Sequence, residues 1–216
     1  MKKFFSVSLL TVALSFQSVS ALNLNIQNIS DSGDAAYGLF DSTGTLVDGS
    51  LTSNLRLGAF ADTYDAQAAW DSGNIADLDA NFIEYEVFGM NDFGAGIDGV
   101  FQTALTTLTS TAGVEGLTIV LWATDGGAFD STSSEHLIYV FDTVFPDEPA
   151  APGDLLLGTS SGSILAGAFG NYSNDYGLGG GALDGFNTVG AVPEPSTYAA
   201  LAGLLALAYV AIRRRS

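Results

Sequence analysis

Cysteine is absent from all 216 residues, which excludes a disulfide framework and every thiolate metal site and leaves stability to the core. Histidine is nearly absent too. His136 stands alone, too few for the usual zinc centres. Cations are scarce: of six basic residues, Lys2 and Lys3 lie at the start and Arg213, Arg214 and Arg215 at the end, so Arg56 is the sole cation between residues 22 and 192. All of the 24 acids except Glu194 fall in that same stretch, making it far more acidic than the formal charge of -18 for the whole chain. A domain of this sign repels nucleic acid and anionic lipid, because neutralising phosphate needs Lys or Arg clusters. It attracts cations, and it keeps a chain that is 47% hydrophobic in solution. The roughly 170 residues between the two ends suffice for one domain with a real core.

The two ends have patterns of their own. Lys2 and Lys3 precede an apolar stretch from Phe4 to Phe16, and Val19-Ser20-Ala21 offers compact residues where a signal peptidase inspects the chain. This predicts a signal peptide over 1–21, passage through the Sec translocon and cleavage between Ala21 and Leu22. At the other end, Pro193 and Pro195 fix φ and remove two backbone donors, so Val192-Pro193-Glu194-Pro195 is expected to be a stiff, extended peptide that a protease can grip. Ser196 to Ile212 then carries no formal charge, and as a helix it is about 26 Å long, just short of the roughly 30 Å hydrocarbon core. The spacing predicts a transmembrane helix over 196–212, with Arg213, Arg214 and Arg215 held in the cytoplasm and the domain facing outward.

This order of Pro-Glu-Pro, short apolar helix and arginine cluster resembles the PEP-CTERM sorting signal of exosortase-processed bacterial surface proteins. The resemblance implies that an exosortase recognises Pro193 to Pro195, within the sorting signal from Val192, and cuts nearby, releasing or transferring the domain to the cell surface or into an extracellular polysaccharide matrix. Within the domain, Asp125-Gly126-Gly127 after Thr118-Ile119-Val120-Leu121-Trp122, and the later Val144-Phe145-Pro146, look like short PEP-CTERM proteins of verrucomicrobial type. That second likeness implies no activity. Without an exosortase the tail reads as a plain anchor, which leaves a permanently anchored, periplasm-facing membrane protein as an alternative.

Residues 22–170 read as an acidic β-rich domain. Ala36 to Phe40 and Thr45 to Val47 flank the turn-forming Asp41-Ser42-Thr43-Gly44, a hairpin signal. Phe82 to Phe88 alternates Ile83, Tyr85 and Val87 with Glu84 and Glu86, as a half-solvated strand does. Leu117 to Trp122 and His136 to Phe141 are apolar on both faces and predict central strands, with shorter ones at Leu155 to Leu157 and Ile164 to Phe169. Tyr64 to Ala80 predicts one or two short helices, interrupted at Asp71-Ser72-Gly73-Asn74. The fold expected is mostly β, an antiparallel sandwich or partly open barrel, with the C-terminal transmembrane helix beyond it. The Gly- and Asn-rich stretch 171–191 reads as a flexible spacer, unless Tyr172, Tyr176 and Phe186 dock on the sheet.

Candidates for chemistry are few, and the expectation is a domain that is not an enzyme. Gly158-Thr159-Ser160-Ser161-Gly162 matches G-x-S-x-G, but His136 precedes the serine and another strand is expected after it, against the hydrolase order. His136 itself reads as a strand-end residue or a satisfied core histidine. Glu84 with Glu86, or Glu115 with Glu135, are formal glycosidase pairs, which keeps a carbohydrate-binding module or weak glycosidase as a rival reading. No cofactor is expected. Asp77-Leu78-Asp79-Ala80-Asn81 begins like a calcium loop, but Phe82 and Phe88 stand where a glycine and an acid belong; irregular Ca²⁺ binding by loop aspartates such as Asp125 and Asp130 stays open.

Overall fold

The computed structural model describes residues 22–28, 37–93, 97–108, 113–146, 153–172, 183–191 and 202–207. The expected signal peptide over 1–21 lies outside them. In chain order, the strands and helices are β1 (Leu22–Gln27), β2 (Gly38–Phe40), β3 (Leu55–Phe60), α1 (Ala66–Asp71), α2 (Ile75–Asn81), β4 (Phe82–Phe88), β5 (Gln102–Leu108) and β6 (Thr118–Thr124). Next come β7 (Glu135–Val144), β8 (Gly153–Leu156), β9 (Gly162–Ala166), β10 (Ala168–Tyr172), β11 (Leu183–Asn187) and β12 (Val189–Gly190), while Met90–Phe93 forms a single 3-10 turn.

The alternation read in the sequence decides the layering. In β6, Ile119, Leu121 and Ala123 point into one core cluster and Val120 and Trp122 into another, so both faces of the strand are buried. It therefore lies inside a six-stranded antiparallel sheet ordered β4, β3, β6, β7, with β9 and β12 sharing the outer edge of β7. The first cluster joins that sheet to Ile26 of β1, Leu39 of β2, Leu155 of β8 and Phe186 of β11. The second joins it to Ala66, Ala69 and Trp70 of α1 and to Ile75 and Leu78 of α2.

Both helices are short and capped by residues that the sequence supplies. Asp65 accepts from the Ala68 N–H at 2.9 Å and Asn74 from the Asp77 N–H at 3.3 Å, so the expected break at Asp71 to Asn74 ends one helix and starts the next. The hairpin expected at Asp41 forms as well. The Asp41 carboxylate gathers the backbone N–H groups of Thr43 at 2.9 Å and Thr45 at 2.8 Å, and Phe40 bridges Leu46.

Two expectations need correction. No sheet among the described residues closes into a barrel, and the arrangement is not purely antiparallel: β1 pairs parallel with β8 in the sheet β5-β1-β8, and β2 parallel with β11 in the sheet β10-β11-β2. Parallel neighbours require long crossovers, and here most of the domain lies between them in sequence. Second, the described part of the expected spacer 171–191 is built into sheets. β11 is flanked on both sides and Phe186 is 1% exposed, so its ring docks as the alternative reading allowed. No helix among the described residues is long and apolar enough to cross a membrane. Residues 202–207 are helical and exposed, and the rest of the expected span 196–212 lies outside the described residues.

The run Ile164 to Phe169 also divides. Gly167 sits at φ 105°, and a Cβ there would stand 2.6 Å from the Asn187 carbonyl oxygen. Glycine lets the chain leave the large sheet after β9 and enter the small one at β10 in a single residue.

Candidate functional site

The described end of the domain leads directly into the candidate sorting signal. After Phe186 the chain buries Thr188, adds β12 to the edge of β7 and reaches Ala191. Val192, Pro193, Glu194, Pro195, Arg213, Arg214 and Arg215 lie outside the described residues, as does Ala21; Leu22 opens β1.

Among the domain's polar candidates, His136 and Arg56 are held by partners inside the fold. His136 is fully buried on β7, where its Nδ1 accepts from the Trp122 indole N–H at 3.1 Å and its Nε2 faces the Ser131 carbonyl at 3.0 Å. Trp122 can only donate and a carbonyl can only accept, so the ring is the neutral tautomer protonated on Nε2. Burial holds its pKa below the ordinary 6.5, against the raising pull of the Ser131 carbonyl, Asp125 and Glu135. Because the folded value is the lower one, this histidine favours folding fully above pH 6.5, and that contribution is lost as pH falls toward the folded pKa. A histidine NMR titration, clean because the chain has only one, is expected to give a midpoint below 6.5; a midpoint above it would contradict the burial.

Arg56 was legible only as a lone cation. On β3 it is 9% exposed, paired with Glu84 of β4 at 2.7 Å and with Asp79 of α2, and its guanidinium lies 4.8 Å from the ring centres of Phe82 and Phe129 and 5.4 Å from that of Trp122. Planar, weakly hydrated guanidinium suits such a cage. Arg56→Met is expected to cost about 1–3 kcal/mol in urea unfolding, held below the figure for deep ion pairs because both carboxylates are partly exposed and rehydrate. No loss would show the cage to be incidental.

Glu115 and Glu135 do not assemble as a catalytic pair. Thr118 pairs with Val144 and Thr124 with His136, so Glu115 and Glu135 stand at opposite ends of the β6–β7 hairpin, about 20 Å apart at ~3.3 Å per residue. Glycosidase carboxyls sit about 5–9.5 Å apart. Glu84 is committed to Arg56. Ser160 is exposed in the β8–β9 turn and Gly162 begins a strand, so the strand-to-helix elbow of a hydrolase serine is missing, while Ser161 bonds the Tyr139 hydroxyl at 3.0 Å. Asp77 to Asn81 lies in α2. Asp125 accepts from the backbone N–H groups of Gly127 and Glu135, and among the described residues no three metal-ligating side chains come together.

The described residues line two concavities of note. One, of about 470 Å³, lies between Leu51–Asn54 and Gly126–Phe129 and has no charged side chain; the other, of about 230 Å³, is lined by Tyr139, Ile164, Phe169 and Phe186. Among the described residues Phe169 is the one aromatic ring in the set of exposed large apolar side chains.

Residues 191–215 match the family model of the PEP-CTERM protein-sorting motif. The matched stretch includes Pro193 to Pro195 and the three terminal arginines. No curated protein and no solved structure matches the chain. The chain carries a PEP-CTERM motif, which supports exosortase-dependent sorting of an exported surface protein.

Proposed function

We propose that this chain is a non-enzymatic component of the cell surface or extracellular matrix. It passes the membrane through the Sec route, is held for a time by an apolar helix over 196–212, and is cut by an exosortase close to Val192–Pro195. The observation that carries the reading is the motif match at 191–215. The domain supports it in a different way. Its sole side-chain cation, Arg56, is consumed inside the fold, so the surface of residues 22–192 presents charge of one sign. Self-repulsion of that kind keeps a dense surface protein dispersed and attracts cations that can bridge it to an acidic polymer.

Fractionation of a host with and without its exosortase tests the proposal. With the enzyme the domain is expected outside the membrane fraction; without it, a longer chain is expected to stay in the membrane. The same distribution in both hosts would overturn the reading.

A further inference from the structure

The loop between β6 and β7, residues 125–134, is fastened to a fully buried histidine. Asp125 to Ala128, Asp130, Thr132 and Ser133 are exposed, whereas His136, which holds the loop at Ser131, is buried. Among the described residues the ties of this loop to the sheet are few. The Thr124 hydroxyl donates to the Gly127 carbonyl at 3.1 Å, Phe129 packs on Trp122 and on the Arg56 guanidinium, and His136 donates to the Ser131 carbonyl at 3.0 Å. Other bonds stay within the loop, from the Ser131 N–H to Ala128 at 3.2 Å and from the Ser134 N–H to Ser131 at 3.3 Å. A cavity of about 470 Å³ separates Gly126–Phe129 from Leu51–Asn54. Segments held by few contacts open locally at free energies well below that of the whole fold.

The histidine is the tie that a proton alters. Its Nδ1 accepts from the Trp122 indole N–H at 3.1 Å, so a proton added there sets one donor against another that can only donate. The bond from Nε2 to Ser131 survives and becomes charge-assisted, so ring and loop stay joined while ring and Trp122 are driven apart. On the core side the ring meets only uncharged groups: Trp122 at 5.8 Å, Trp70 of α1 at 6.0 Å and, across the strand pair, Val189 of β12. The cation Arg56 stands over the Trp122 ring, and the carboxylates that pull on the histidine are those of Asp125 in the loop and Glu135 on β7. We infer that protonation of His136 opens the 125–134 loop, carrying Phe129 off Trp122 and Arg56 and bringing the imidazolium to water and to Asp125. Burial holds the histidine below its ordinary 6.5 while the loop is closed, and opening restores that value. The ratio of open to closed loop is therefore flat above pH 6.5 and rises below it, by up to about ten-fold per pH unit, until the closed loop itself titrates. This loop responds to acid whether or not the tail is processed.

Amide hydrogen exchange of the full chain, read by mass spectrometry and corrected at each pH for the intrinsic exchange rate, tests the switch. Between about pH 7.5 and pH 5, peptides from 125–134 should lose protection on the order of ten-fold while β3 keeps its own. His136→Gln can turn a carbonyl to Trp122 and an amide N–H to Ser131 but cannot take up the proton, so its loop should be equally protected at both pH values. Three results would each overturn the switch: unchanged protection in wild type, an equal loss in the loop and in β3, or a loop that still responds to acid in folded His136→Gln. Should His136→Gln not fold, the comparison of loop with β3 in wild type decides alone, because acid unfolding of the whole domain would expose both together.

Discussion

Trp122→Ala is expected to destabilise the domain by about 3–5 kcal/mol, a large share of the roughly 5–15 kcal/mol that holds a domain of this size together. Trp122 is fully buried in the middle strand of the largest sheet, with ring centres of Phe82 at 5.5 Å, Phe129 at 5.6 Å and His136 at 5.8 Å. Its loss opens a cavity too deep to collapse and removes one wall of the Arg56 cage. It also strips His136 of its donor, leaving a buried acceptor unpaired. Trp122→Phe keeps most of the volume and loses the N–H, so its cost should fall between wild type and alanine. Urea unfolding reads both as a shift in midpoint at unchanged slope. A loss under about 1 kcal/mol for the alanine variant would show the second core cluster to be dispensable.

The second large effect lies in the tail. Pro193→Ala with Pro195→Ala is expected to reduce processing on the order of a hundred-fold, the scale at which misplacing a reacting group is felt. Proline fixes φ and removes a backbone donor, so it resists helix formation. Two alanines beside Glu194 do the opposite, because alanine is the best helix former. The readout is the ratio of long to short chain in pulse-labelled cells with an active exosortase. An unchanged ratio would remove the prolines from the recognition argument.

How much of this was legible depends on how local each signal is. Strand β6 announced its two buried faces, α1 and α2 their break, and Asp41 its turn, since each rests on neighbours a few residues apart. The parallel pairing of β2 with β11 left no such trace. The stretch around Gly185 looks like a linker because glycine is read as flexibility, yet a Cβ at Gly185 would stand 2.3 Å from the Phe40 ring. Glycine is there so that two strands far apart in sequence can close up. Arg56 likewise gave away its rarity but not its cage, whose rings come from β4, β6 and the loop after β6. Glu115 and Glu135 show the converse: residue types suggested a pair that the register of β6 and β7 separates. The sorting motif was readable because it lies in one contiguous stretch, 191–215, and depends on no distant contact.

The central claim is that the tail is a processing signal, and the intact mass of the protein recovered from its native envelope tests it most directly. The predicted result is a chain that begins at Leu22 and ends near Val192. A surface-located chain that still carries Arg213, Arg214 and Arg215 would contradict it.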